Sequence, residues 1–185
     1  MRKLISLMHV SLDGFCAGPK GEMDWIGLNE AIFADVNDLI DTAGAAVYGR
    51  TTHDLMRSYW PTFLDKPDSR EVRHAHWVEQ IPKLTFSRSL TACDWNNVHL
   101  RHDAGDIVAD KQEPGANLLI FGSPGLVHGF LALDVIDEFW ILQNPVLLGA
   151  GIPYLQGAVK TKLKLAGSKF FDNGVIRLHY VKGKS

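Results

Sequence analysis

The stretch AAVYGRTTHDLM, Ala45 to Met56, decides how this chain is read. A short apolar run, Ala45 to Tyr48, ends in Gly49, and Arg50, Thr51 and Thr52 follow at once. Beyond them the spacing turns helical. A buried strand therefore gives way to a helix through a turn that carries a cation and two hydroxyls. In an open α/β sheet, ligands bind beyond the carboxyl ends of the strands. Glycine lets the backbone come close to a ligand, and a helix start offers unpaired N–H groups to anions. Arginine adds a planar fork that matches phosphate oxygens.

The same design recurs twice. Thr85-Phe86 is followed by Ser87-Arg88-Ser89, and Ile120-Phe121 by Gly122-Ser123-Pro124-Gly125. Taken singly, each is an ordinary strand end with ordinary helix-capping residues. Together, two arginines and several hydroxyls at parallel positions describe a dinucleotide site with an additional phosphate, which means NADPH rather than NADH. The G-x-G-x-x-G fingerprint of the common dinucleotide fold is absent, so another architecture must carry the site.

Working outward, Leu4 to Val10 is apolar at alternating positions of both parities, as a central strand covered on both sides requires. The spacing predicts helices over 29–40, from Thr51, over 69–80, 103–112 and 125–133. Strands are predicted at 45–48, 84–86, 98–100, 118–121 and 139–142, and 59–68, with Pro61 and Pro67, should be irregular. Near the C-terminus, Leu163 and Leu165, then Ile176, Leu178 and Tyr180, alternate with polar residues around Asp172-Asn173-Gly174, a hairpin signal. The expected fold is a mixed α/β sheet of about eight strands with flanking helices and a C-terminal antiparallel hairpin, one domain over 1–185.

Bulk properties narrow the function. The 185 residues are 46% hydrophobic and carry a formal net charge of -2, with no cluster of Lys and Arg, which argues against nucleic-acid or anionic-membrane partners. No apolar stretch approaches the roughly 20 residues that span a bilayer. Two cysteines, Cys16 and Cys93, match no metal-ligand spacing, so a cytoplasmic setting is expected. His74, His76, His99 and His102 lack a third ligand in suitable spacing, and no metal is expected.

Several segments resemble the dihydrofolate-reductase-like superfamily: YGRTTHDLM its Gly-Arg-x-Thr segment, FSRSL its Ser-Arg segment, IFGSPGLVHGFL its Gly-Gly segment. HVSLDGFCAGPKGEMDW is similar to its first strand and mobile loop. The Ser-x-Asp-Gly loop and VIDEFWILQNPVLLGAGIPYL resemble instead the reductase domain of the riboflavin-biosynthesis deaminase–reductase and its stand-alone relatives. The resemblance implies that Gly49, Arg50 and Thr52 meet cofactor phosphates and that Ser87 and Arg88 hold the adenosine 2′-phosphate. It further implies that Gly122, Ser123, Gly125 and Leu126 wrap the pyrophosphate, and that Ala17 and Gly18 line the nicotinamide. Ser123 departs from the second glycine of the family pair, which puts the tight backbone geometry there in question.

Hydride transfer to a C=N bond needs a proton on nitrogen, from a carboxyl group through water or from water alone. Glu30, a few positions after Trp25 at a helix start, and Asp13, in the Ser11-x-Asp13-Gly14 loop, are the candidates. Each also has a structural reading, as a helix-start acid and as a turn residue. Ser11, Trp25, Asn144 and Gly149 are the substrate-side candidates, and Trp25, Trp60 and Phe63 a possible apolar wall. The reading is an NADPH-dependent reductase of a pyrimidine, pterin or related substrate, similar to 5-amino-6-(5-phosphoribosylamino)uracil reductase. Its alternatives are a true dihydrofolate reductase and a non-catalytic nucleotide-binding protein on the same fold. No H-x-E with P-C-x-x-C deaminase signature occurs. Relatives of this type pair, so a homodimer is expected.

Overall fold

Leu4–Val10 (β1) lies at the centre of the main sheet in a computed structural model, which describes residues 1–183. Its side chains divide between two cores: Ile5 and Leu7 face one, Leu4, Met8 and Val10 the other. This is why the run carries apolar residues on both faces. The remaining elements are β2 (Phe15–Ala17), α1 (Glu30–Ile40), β3 (Ala43–Gly49), α2 (Arg50–Tyr59), α3 (Val72–Gln80), β4 (Lys83–Phe86) and β5 (Val98–Arg101). After them come α4 (Ile107–Gln112), β6 (Asn117–Phe121), α5 (Pro124–Ala132), β7 (Glu138–Gln143), β8 (Ile152–Pro153), β9 (Leu163–Phe170) and β10 (Ile176–Lys182).

Eight strands form one sheet in the order β5-β4-β3-β6-β1-β7-β10-β9. Pairings from β5 to β7 are parallel, and β10 and β9 add on antiparallel. On one face α1 brings Ile32, Phe33, Val36 and Ile40 to the sheet, and α3 brings Ala75 and Val78. On the other, Ile107 of α4 and Val127 and Phe130 of α5 do the same. The Asn29 side chain accepts from Ile32 N–H at 2.8 Å and starts α1. Asp35, buried on α1, takes Lys169 at 3.0 Å and Arg177 at 3.1 Å, which fastens the helix to the C-terminal hairpin. A buried carboxylate needs such partners. The hairpin turns as expected, with Gly174 at φ 83°.

Three expectations need correction. The 59–68 segment is not wholly irregular: Trp60–Phe63 forms a 3-10 turn, with Pro61 in its first turn, where a missing N–H costs nothing. The helix expected over 103–112 splits, because Asp103 accepts from Gly105 N–H at 2.7 Å and caps a 3-10 turn before α4 begins. The antiparallel ribbon of β2 and β8 was not foreseen, since strands of three and two residues leave no periodicity to read.

That ribbon is held by a clasp built from the Ser-x-Asp-Gly loop. The Ser11 hydroxyl donates to Asp13 Oδ1 at 2.6 Å and accepts from Phe15 N–H at 2.9 Å. Asp13 in turn accepts from Leu148 N–H at 3.2 Å and Gly149 N–H at 2.8 Å. These donors, the Ser11 hydroxyl foremost, hold the Asp13 carboxyl below its ordinary range. Because the folded-state pKa is depressed, the clasp is intact at neutral pH and loosens as pH falls through that depressed value. Nearby, a Cβ on Gly151 would stand 2.2 Å from the Ala17 carbonyl oxygen, so β2 and β8 meet only because residue 151 is glycine.

Two measurements check this arrangement. Gly151→Ala should lower the unfolding free energy by about 1–3 kcal/mol in a denaturant titration, the usual cost of overpacking; unchanged stability would mean the ribbon yields freely. Asp13→Ala should speed amide exchange at Leu148 and Gly149 at neutral pH while leaving global unfolding nearly unchanged. The difference from the parent should close in acid.

Candidate active site

Parallel register sets the three strand-end turns side by side. Gly49 pairs with Phe86, Val47 with Ile120, and Leu7 with Phe121. Gly49 N–H donates to the Ser123 hydroxyl oxygen at 3.0 Å, and that hydroxyl donates to the Phe121 carbonyl at 3.3 Å. Gly122 and Ser123 are both left-handed, at φ 58° and 56°. The tight turn that a glycine pair would make is thus kept with serine in the second place. Left-handed backbone costs a non-glycine residue on the order of 1–2 kcal/mol, and the buried Ser123 offsets this by tying β6 to β3. Thr52 packs beside Gly122, and Leu126, in the first turn of α5, beside Gly49.

The charged groups of this edge are loosely committed. Arg50 Nε meets Asp54 Oδ2 at 2.6 Å, one helical turn on, and both side chains are about half exposed. A pair of that kind is worth little and exchanges readily for a better anion. Arg88 is exposed. Ser87 is buried, and its hydroxyl accepts from Ser89 N–H at 3.3 Å and Leu90 N–H at 3.0 Å, so it shapes the turn that presents Arg88. Beside α2 lies a depression of about 380 Å³ lined by Arg50, His53, Arg57 and Cys93, among others. Here His53 Nδ1 stands 2.9 Å from Thr85 Oγ1 and Nε2 3.3 Å from Cys93 Sγ. Burial, above all, lowers the His53 pKa. No spacing in the sequence signals that pair, since 40 positions separate its members.

A second cavity, about 390 Å³, opens between β1, α1 and α2 and reaches Gly122. Its walls are apolar: Met8, Ile26, Ile32, Phe33, Met56 and Trp60 contribute, with Tyr59 at the side. His9 and Cys16 are its other polar residues. The Cys16 thiol lies 3.2 Å from the Ile152 carbonyl, and burial pushes its pKa up to about 11, so it stays protonated. His9 lies at the end of β1 with Nδ1 3.4 Å from Asn144 Nδ2, and burial lowers its pKa to about 4. Nothing in the sequence marked His9, which reads as one polar interruption of an apolar strand.

The sequence-based candidates separate into two groups. Gly49, Arg50, Thr52, Ser87, Arg88, Gly122, Ser123, Gly125 and Leu126 share the carboxyl edge of β3, β4 and β6. Ala17 and Gly18 follow Cys16: Ala17 is buried in the ribbon, and Gly18 N–H donates to the Glu22 carbonyl at 2.9 Å. Neither candidate carboxylate stands on the cleft wall. Glu30 is exposed because the first residue of α1 faces solvent while Ile32, Phe33 and Val36 face inward. Asp13 is occupied by its clasp. Ser11 and Gly149 belong to the same clasp, and Asn144 is buried, with its oxygen accepting from Gly27 N–H at 2.8 Å. Trp25 lies off the wall, donating to the Glu22 carbonyl at 3.1 Å; Phe63 is also off it, and Trp60 is on it.

Comparison with known proteins gives this geometry a setting. The chain is 33% identical over 196 residues to the uncharacterized protein YwjB of Bacillus subtilis (strain 168), covering 98% of both. Its fold is similar to a diaminohydroxyphosphoribosylaminopyrimidine deaminase/5-amino-6-(5-phosphoribosylamino)uracil reductase from Thermotoga maritima. There the TM-score is 0.70 at 17% identity, covering 98% of this chain and 57% of that one. A dihydrofolate reductase from Enterococcus faecalis complexed with NADP(H) is similar with a TM-score of 0.67 at 13% identity, covering 98% and 97%. At such identities the two structures speak to the fold alone. The family model of the RibD C-terminal domain matches residues 2–177, nearly the whole of the sheet with both its cradle and its cleft, and the chain belongs to that family.

Proposed function

We propose that this protein is an NADPH-dependent reductase that adds hydride to a C=N or C=C bond of a pyrimidine, pterin or related heterocycle, in the manner of 5-amino-6-(5-phosphoribosylamino)uracil reductase. One observation carries the reading: Gly122 belongs both to the strand-end turns and to the wall of the apolar cleft. An anion-receptive edge and a chamber for a flat ring therefore meet at one residue. The fit of a dinucleotide has its own support. A Cβ on Gly125 would meet no protein atom within 4 Å, so packing alone does not call for glycine at the second position of α5. Close approach of a phosphate does.

In this reading Gly49, Arg50 and Thr52 meet phosphates, and Arg88, on the turn shaped by Ser87, meets the adenosine 2′-phosphate. Gly122, Ser123, Gly125 and Leu126 enclose the pyrophosphate, and Ala17 and Gly18 flank the nicotinamide. Bound NADPH supplies the hydride. The chain's own part is to hold the acceptor in a dry chamber, where polar interactions strengthen. Since neither Asp13 nor Glu30 stands on that wall, either could pass a proton only through water. The same fact weighs against dihydrofolate reductase, whose loop tryptophan is followed by a working carboxylate. The edge strand β9 exposes Leu163, Leu165 and Phe170, which supports the expected homodimer.

Titrating NADPH by its fluorescence tests the reading. Arg50→Ala with Arg88→Ala should weaken NADPH by about tenfold or more, one lost charge-assisted contact being worth about 1.5–3 kcal/mol. NADH, which lacks the 2′-phosphate, should lose only the Arg50 contact and so weaken far less, and equal losses for both would remove the 2′-phosphate assignment. Gly125→Ala should raise helix stability by up to about 1 kcal/mol yet weaken NADPH. Undiminished affinity in that variant would show that no ligand backs against residue 125.

A further inference from the structure

We infer that the cleft takes an uncharged heterocycle, oriented by one hydrogen bond from His9 Nε2–H and otherwise held by apolar contact, with no subsite for a phosphate. The inference rests on the reductase reading and specifies its substrate.

The wall composition comes first. Among the described residues that line the cleft there is no Lys, Arg, Asp or Glu. Arg70 stands 5.5 Å from the ring centre of Phe33, but it does not line the cleft. A phosphate drawn into this chamber would lose its hydration and find no counter-charge. A ring bounded by Ile32, Phe33, Met56 and Trp60 loses only apolar hydration.

The proton positions on His9 follow from its neighbour. Asn144 Oδ1 accepts from the Gly27 N–H at 2.8 Å, which fixes which end of the amide is oxygen. Asn144 Nδ2 then donates to the Leu142 carbonyl at 2.9 Å, and its second proton lies between the Val10 carbonyl and His9 Nδ1, each at 3.4 Å. An amide N–H facing Nδ1 makes that nitrogen the acceptor, so the proton of the neutral ring sits on Nε2. Nε2 has no hydrogen-bond partner among the described residues, and the half-buried ring stands on the cleft wall. With no carboxylate beside it to keep a second proton, the imidazole is neutral at physiological pH. It is therefore a donor that positions the acceptor through a carbonyl or ring nitrogen, and not an acid. When hydride reaches the carbon of a C=N bond and NADPH becomes NADP⁺, the electron pair passes to nitrogen. That nitrogen takes its proton from water.

Calorimetric titration of the NADP⁺-loaded protein tests this with two compounds, 5-amino-6-(5-phosphoribosylamino)uracil and the same molecule with its phosphate removed. The dephosphorylated compound should bind at least as tightly. His9→Leu should weaken it by about tenfold, the loss expected when one partner of a hydrogen bond goes missing. His9→Gln, which keeps a side-chain N–H near the Nε2 position, should recover most of that loss. NADP⁺ affinity should be the same in both variants and so reports that they fold. About tenfold tighter binding of the phosphorylated compound, or unchanged affinity in His9→Leu, overturns the inference while leaving the reductase reading standing. Failure of the parent protein to bind NADP⁺ overturns that reading instead.

Discussion

The parallel register of β4, β3, β6 and β1 is the constraint on which the site depends. Parallel pairing brings every carboxyl end to the same edge of the sheet, so turns as distant in sequence as those at Gly49, Ser87 and Gly122 become neighbours. A one-residue slip would reverse the inward and outward faces of a strand and carry its terminal turn away from the others. The hydrogen bond from Gly49 N–H to Ser123 guards against this at the place where the ladder ends. It joins β3 to β6 at the residue from which each helix departs. Ser123 can do so only in a left-handed conformation, which aims its hydroxyl back along the strand it has just left. The strain and the bond therefore belong together: relaxing the first would surrender the second.

Around this edge the protein separates polar residues by task. Ser11, Asp13 and Gly149 are spent on joining two loops, with Asn144 bracing Gly27 behind them. These loops flank the cleft, so their rigidity shapes the chamber without any of these carboxylates or hydroxyls entering it. Opposite, Asp35 fastens α1 to β9 and β10, which holds Ile32, Phe33 and Val36 against the chamber from the other side. Buried polar groups that are fully engaged rigidify their surroundings. Apart from His9, the polar residues that brace the cleft are bonded to one another, which leaves its walls largely apolar.

How far the sequence could be read follows from the range of each signal. Strand-to-helix junctions such as Tyr48-Gly49-Arg50 are local, carried by a change of period and a glycine, and these were legible. So was the C-terminal hairpin, through Asn173-Gly174. The dihydrofolate-reductase-like fold came from the ordered set of motifs. Elements made only by long-range contact were hidden: β8 has two residues and exists because Gly151 lets β2 approach. The same limit governed the site. The strand-end turns gathered on one edge of the sheet are built from backbone and were visible as spacing. The two carboxylates rest on distance from Trp25 and on a loop motif, and neither signal tells whether a carboxylate reaches the cleft or is bonded elsewhere, as Asp13 is. His9 opens the HVSLDG stretch but no spacing marks it for a role, because its meaning lies in Asn144, 135 positions away.

In the reductase reading we propose, the two halves of the site impose opposite demands on water, and this bears on why they meet at a glycine. Phosphates need donors and cations that remain partly hydrated, which suits the exposed Arg50 and Arg88. A hydride acceptor needs a dry surround, since water weakens the polar contacts that orient it. The boundary between the regimes must be thin enough for one ligand to cross from the first into the second. A side chain at residue 122 would thicken it on the Thr52 side, where a Cβ would already touch Thr52 at 3.7 Å, and the φ of 58° disfavours any side chain there. Glycine supplies both the turn and the narrow passage. The polarity of the chamber then rests on His9, whose neutrality is enforced by the same burial that dries the walls. A charged group in its place would draw water in and undo the separation.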